Sequence, residues 1–276
     1  MAAKMLFGVC SGDVNDTALF KEIGFDYIEM GVGSALQPDV PDADWAATKA
    51  AILAAPLPVH ACNCFLPGKF RLTGPEANFA PALDYAEIAC RRADEIGCKY
   101  IVFGSGGARN VPCVFGPEAK CLYDIEGGRD QFAAFCAQLA RRIAACNVTV
   151  VIEPLRPGES NIINYVWQGL QVVEEVDSPR LRVLADIYHM LRGRETPESL
   201  VKAGDKLRHC HIAASNGRFF PGSGDNAEFV PYFDALRQIG YAGGISCECG
   251  WQRPDEKLSR REALAVALDT LRSLAS

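Results

Sequence analysis

No apolar run in this 276-residue sequence approaches the roughly 18 residues that a membrane-spanning helix needs, which argues against a membrane partner. Basic residues are not in excess either. The 28 Lys and Arg stand against 34 Asp and Glu, for a net charge of −6, so a nucleic-acid backbone or an anionic membrane finds no evident basic face. Histidine is scarce. Only His60, His189, His209 and His211 are present, too few to feed a multi-metal cluster. The opening stretch Met1 to Cys10 lacks a basic region followed by a long apolar run and a cleavage site, and the expectation is a cytoplasmic protein. Linkers, low-complexity tracts and long charge runs are also missing, so residues 1–276 are expected to form one domain. The 12 cysteines do not have zinc-site spacing, since Cys62-Asn-Cys64 and Cys247-Glu-Cys249 each separate the pair by one residue. Cys90, Cys136, Cys146 and Cys247 fall inside helical or strand patterns, where a thiol behaves as a small buried hydrophobe, and reduced thiols are expected.

What is present is a regular alternation. Apolar residues make up 49% of the chain, ordinary for a globular protein. Eight short apolar runs read as strands: Leu6–Cys10, Tyr27–Met30, Pro58–Cys62, Tyr100–Gly104, Val148–Glu153, Arg182–Asp186, Leu207–Ala213 and Gly244–Glu248. Helical patterns separate them. One starts at Asp16-Thr17 and ends at Gly24; others cover Asp42 to Ala55, Ala77 to Ile96, Arg129 to Ala145, Ile163 to Val176, Pro197 to Val201, Tyr232 to Ile239 and Ser259 to Leu274. Repeated βα units across the whole length predict a parallel sheet covered by helices, and eight of them predict closure into a single (β/α)8 TIM barrel.

In such a barrel chemistry gathers where strands end. The fifth run ends in Glu153 after unbroken β-branched residues, the sixth in Asp186 and the eighth in Glu248, while the seventh contains His209-Cys-His211. Side chains alternate along a strand, so Thr149, Val151 and Glu153 share one face, and Ser246 shares a face with Glu248. Three carboxylates crowded at one mouth repel one another unless a positive charge sits between them. One hard divalent ion held by Glu153, Asp186, His211 and Glu248 meets that need. Mn2+ leads, with Mg2+, Co2+ and Zn2+ also suited to this donor set. His209, two residues deeper on the same face as His211, reads as a core residue. Gly104-Ser-Gly-Gly-Ala-Arg109 has two readings, a phosphate cradle or an ordinary βα turn; it lacks the GK[ST] ending of a P-loop.

These residues resemble the xylose isomerase-like barrels, and within them the ketose 3-epimerases of the D-tagatose and D-psicose (allulose) type. Val151-Ile-Glu-Pro-Leu, Ala185-Asp-Ile-Tyr-His-Met, and His209-Cys-His-Ile followed by Pro221-Gly-Ser-Gly carry the likeness. The resemblance implies metal ligation by Glu153, Asp186, His211 and Glu248, and substrate contacts from Glu159, His189 and Arg218. It also implies a sugar substrate and a homo-oligomer, dimer or tetramer. One departure is visible. Arg218 lies seven residues after His211, where the epimerases place theirs six after, and the added Gly217 resembles the loop of hydroxypyruvate isomerase.

The expected reaction is inversion at a carbon next to a ketone through an enediolate. Glu153 and Glu248 take and return the proton on opposite faces, each transfer being worth about 10²–10⁴-fold. Aldose–ketose isomerisation, elimination from a keto-sugar, an abasic-site endonuclease and a non-catalytic sugar-binding protein are the alternatives. The endonuclease is disfavoured by the acidic charge, the few histidines and a fourth strand that ends Phe103-Gly-Ser-Gly without a ligand. The connections Cys64–Asn78 and Asn110–Gly128 are long enough to cover a site or make an oligomer contact, and Trp251, just past Glu248, has two readings, packing over a substrate or filling a gap between helix and barrel.

Overall fold

The computed structural model describes residues 4–115, 121–122, 124–250 and 257–276. Trp251 and part of the second long connection lie outside these described residues. Eight strands hydrogen-bond in parallel around a closed ring: β1 (Leu6–Cys10), β2 (Tyr27–Gly31), β3 (Val59–Asn63), β4 (Tyr100–Phe103), β7 (Thr149–Ile152), β8 (Leu181–Asp186), β9 (Leu207–Ile212) and β10 (Gly244–Cys247). All eight expected strands are found, within one or two residues of their expected ends. A small antiparallel hairpin, β5 (Val114–Phe115) with β6 (Cys121–Leu122), lies within the second long connection.

Helices α1 (Asp16–Ile23), α3 (Asp42–Leu53), α4 (Phe79–Glu95), α6 (Ile125–Arg142), α7 (Val166–Val176), α9 (Glu198–Ala203), α10 (Asn226–Gln238) and α11 (Arg260–Ala275) match the helical patterns. Two begin well before their expected starts. Asp124 caps α6 by accepting from the Gly127 amide, so the Gly127-Gly128 pair lies inside the helix, where Gly128 packs against Val111. Helix α10 runs through Pro231, a residue that ordinarily ends or kinks a helix. Three short helices at strand ends were not expected: α2 (Val32–Ala35), α5 (Gly106–Arg109) and α8 (Ile187–Gly193).

Two apolar compartments follow from strand alternation. Val150 and Ile152 join the large core between the sheet and the helices, whereas Val151 packs with Val102 and Leu184 in a separate cluster inside the ring, beside Tyr100. The interior also holds a layer of rings. Tyr27 and His60 approach to 4.7 Å between centroids, His60 and Tyr100 to 5.4 Å, and Tyr100 and His209 to 5.6 Å. β2, β3 and β4 are neighbours in the ring, whereas β9 stands three strands from β4, so the Tyr100–His209 contact is the one made across the interior. Gly8 makes room for this layer, because a Cβ there would lie 2.1 Å from the Tyr27 ring. A register shift between β8 and β9 sets Leu184 beside His209 and Asp186 beside His211, which puts each pair at one height in the barrel.

Among the described residues ten cysteines are free thiols, as expected, but Cys113 is disulfide-bonded. It sits next to the β5–β6 hairpin, outside the packed strands and helices whose pattern suggested inert buried thiols. Among the described residues no helix is long and apolar enough to cross a membrane.

Candidate active site

Glu153, Asp186, His211 and Glu248 stand at the ends of four adjacent strands, β7 to β10, and meet. One ligand-type atom from each lies within 4.8 Å of all the others. Glu153, Asp186 and His211 are buried, and the Glu248 side chain remains 22% exposed at the mouth. Bond lengths of about 2.1 Å to a divalent ion put neighbouring donor atoms roughly 3 Å apart and opposite ones roughly 4.2 Å apart. His211 Nδ1 lies 3.1 Å from Glu153 Oε1 and 3.5 Å from Glu248 Oε2, which matches that spacing.

Each group is held by its own local structure. Asp186 caps α8 with one oxygen, Oδ1 accepting from the amides of Tyr188 (2.7 Å) and His189 (3.2 Å), while Oδ2 stays available to the centre. Glu153 fits because the neighbouring residue on β4's exit is glycine; a Cβ on Gly104 would lie 2.3 Å from Glu153 Oε2. The electrostatics are those of a crowded acidic site. Burial raises both Glu153 and Asp186 above the ordinary carboxylate range, with Glu248 adding to it, and brings Asp186 to about 6. Burial raises Glu248 too, but His211 and Arg218 outweigh it and leave Glu248 below its usual value. Three acids beside one imidazole, two of them resisting ionisation in the protein alone, fit a divalent cation.

The residues assigned to substrate contact surround this centre. His189, on α8, is buried, and neither ring nitrogen has a hydrogen-bond partner; Nε2 is 3.5 Å from Asp186 Oδ2 and 3.8 Å from Glu159 Oε2. Glu159 spends Oε1 on Arg156 (2.8 Å) and faces His189 and Arg218 with Oε2. The Arg218 guanidinium donates to Glu248 Oε2 and lies 5.0 Å from the centre of the Tyr188 ring. The extra residue in its loop is absorbed by backbone geometry, with Gly217 at φ +90° and Arg218 at +57°. Reciprocal backbone bonds tie this loop to the stretch after β10: Gly250 N to Arg218 O at 2.9 Å and Phe220 N to Gly250 O at 3.1 Å. All seven residues expected from the sequence come together.

Two neighbours were not expected. Glu29, from the middle of β2, is fully buried beneath the site and bonds His211 Nε2 at 2.9 Å and His209 Nε2 at 2.7 Å. Its only sequence signal was a carboxylate inside an apolar strand. His209 is a buried core residue, as expected. Arg109 is also fully buried, and it donates to the carbonyls of Phe103 (3.1 Å), Glu153 (3.0 Å) and Ile163 (3.3 Å) and to Ser160 Oγ (3.3 Å). Burial lowers its pKa to about 10, leaving it cationic at neutral pH. Arg109 pins the β4 loop to the backbone of Glu153 and is not available to an external phosphate.

A closed parallel barrel whose strand ends carry an acid–histidine cluster able to hold a metal ion defines a TIM-barrel protein with its candidate site on the face where such barrels do chemistry. Residues 17–274 match the xylose isomerase-like TIM barrel family, and the chain belongs to it. The chain is 33% identical over 141 residues to L-ribulose 3-epimerase of Mesorhizobium japonicum, a match spanning 49% of this chain and 47% of that protein, about half the length of each. A longer match, 29% over 252 residues, covers 87% of this chain and 81% of the L-ribulose 3-epimerase of a Methylomonas species. The D-psicose 3-epimerase of Clostridium cellulolyticum H10, solved with D-tagatose, superposes with a TM-score of 0.81 at 19% identity, covering 99% of this chain and 100% of that one.

Proposed function

We propose that this protein is a divalent-metal-dependent ketose 3-epimerase acting on a small sugar. The observation that carries the reading is the meeting of Glu153 and Glu248, from strands three apart around the ring, at one centre shared with Asp186 and His211. Its relatives are ketose 3-epimerases, which supports the same reaction class. When bound, the cation, Mn2+ foremost, supplies electrophilic stabilisation of the negative charge that develops on the sugar's oxygens. Glu153 and Glu248 flank the substrate from opposite sides, one removing the proton at C3 and the other returning one to the far face, which inverts that carbon. His189, with two unpartnered buried nitrogens, and Glu159 and Arg218 hold hydroxyl and carbonyl oxygens, so that one carbon is presented to the carboxylates. We place the enzyme in the cytoplasm as one barrel domain that assembles into a homo-oligomer.

The test joins metal analysis of the purified protein to a panel of free ketoses in deuterated water, followed by NMR. Deuterium at C3 of both epimers is the expected result. Label on the neighbouring carbon with an aldose product would make it an aldose–ketose isomerase, and loss of water an elimination enzyme.

A further inference from the structure

We propose that Glu29 is a positioning residue that fixes the tautomer of His211, holding the proton on Nε2 so that the Nδ1 lone pair faces the carboxylate centre. This rests on the metal reading given above. A neutral imidazole has one N–H and one lone pair, and the partner of one nitrogen decides what the other presents. His211 Nδ1 is the nitrogen beside Glu153 and Glu248; Nε2 points the other way, 2.9 Å from Glu29 Oε1. An ionised carboxylate only accepts, so a hydrogen bond at that position requires a proton on Nε2.

The rest of the network holds Glu29 in that acceptor role. Its other oxygen, Oε2, lies 2.7 Å from His209 Nε2 and receives the Ser246 hydroxyl at 2.6 Å; Tyr27 OH is 2.9 Å from Ser246 Oγ. Since Ser246 gives its proton to Glu29, the Tyr27 hydroxyl donates to Ser246. Three N–H and O–H donors therefore converge on one fully buried carboxylate contributed by a strand 180 residues away in sequence. Cys10 lies close enough to Glu29 and His211 to resemble a second ligand group, but both Glu29 oxygens are already taken by these donors. The trio is a support for the first centre.

Glu29→Gln keeps the shape and replaces one acceptor with an NH2 donor. Where that NH2 meets His211, the ring has to offer a lone pair at Nε2 and carry its proton on Nδ1, toward the cation. Mn2+ binding by titration calorimetry is expected to weaken about 10–100-fold, with kcat largely recovered at saturating Mn2+. Independently, 15N correlation spectra of histidine-labelled, Zn2+-loaded wild type are expected to show His211 protonated at Nε2, and this result stands even if Glu29→Gln fails to fold. His211 protonated at Nδ1 in that spectrum, or a folded Glu29→Gln variant that binds Mn2+ within twofold of wild type, overturns the proposal. Wild type that takes up no cation removes the metal centre as well, whereas tight wild-type binding matched by the variant removes only the role of Glu29.

Discussion

Replacing Glu248 with Gln isolates one half of the proposed proton exchange. The amide has nearly the same volume and still offers an oxygen to Arg218, but it does not act as a base at neutral pH. Each positioned acid–base group contributes about 10²–10⁴-fold, or about 2.7–5.5 kcal/mol of barrier at 1.36 kcal/mol per tenfold. The fold should notice little. The Glu248 and Arg218 side chains are 22% and 31% exposed, and an ion pair in such contact with solvent is worth about 0–1 kcal/mol. A loss of that size moves the melting point by only about 2–4 °C in a protein near this length. Because Glu248 is also a proposed ligand, turnover should be compared at saturating Mn2+. Interconversion of C3 epimers, followed by polarimetry or NMR, is expected to fall by at least a hundredfold, while one epimer still exchanges its C3 hydrogen with deuterated water through Glu153. Retained exchange with lost inversion is the signature of one carboxylate per face. A folded, Mn2+-loaded variant that still inverts C3 within tenfold of wild type would refute the two-carboxylate reasoning.

Three further perturbations test other parts of the structure. Burial brings Asp186 to about 6, and a ligand must lose its proton to bind a cation, so protons compete with Mn2+ below that pH. Calorimetry between pH 5 and 8 should find affinity falling steadily as the pH drops, because His211, which burial lowers but the surrounding carboxylates hold above its usual value, and Asp186 must both shed protons to bind; a flat profile counts against this ligand set. Gly104→Ala drives a methyl to within 2.3 Å of Glu153 Oε2, and a displacement near 1 Å costs about 10²-fold in kcat/KM; unchanged kcat/KM and Mn2+ affinity would show that Glu153 has room to spare. Arg109→Met leaves the carbonyls of Phe103, Glu153 and Ile163 without their donor, at about 1–3 kcal/mol each, partly offset by removal of a buried cation. Urea unfolding should show a loss of about 3 kcal/mol or more, and a change under 1 kcal/mol would contradict the pinning role.

The barrel and its acidic centre were legible in the sequence because both are written locally. Val148 to Ile152 is an unbroken run of β-branched residues with Glu153 at its end, and Asp186 and Glu248 likewise close short strand-like runs. Strand alternation then places each acid on the interior face. Glu29 was not legible, since its partners His209, His211 and Ser246 arrive from the opposite end of the chain, and an acid inside a strand has no local mark of its destination. Arg109 was obscured for a related reason. A glycine-rich loop after a strand reads alike whether its arginine faces outward to an anion or inward to carbonyls, and only the packing of Glu153 and Ile163 decides. Helix α8 escaped notice because seven residues are too few for a periodic signal, although Asp186 is its cap.

The bonds between Gly250 and the Arg218–Phe220 stretch have a consequence for engineering. The arginine and the glutamate are presented by two segments laced into one slab of backbone. Transplanting a preference for another sugar by swapping either segment alone would cut that lacing and let the pair drift apart. A graft that carries both pieces, with Gly217 included, keeps their spacing as a unit.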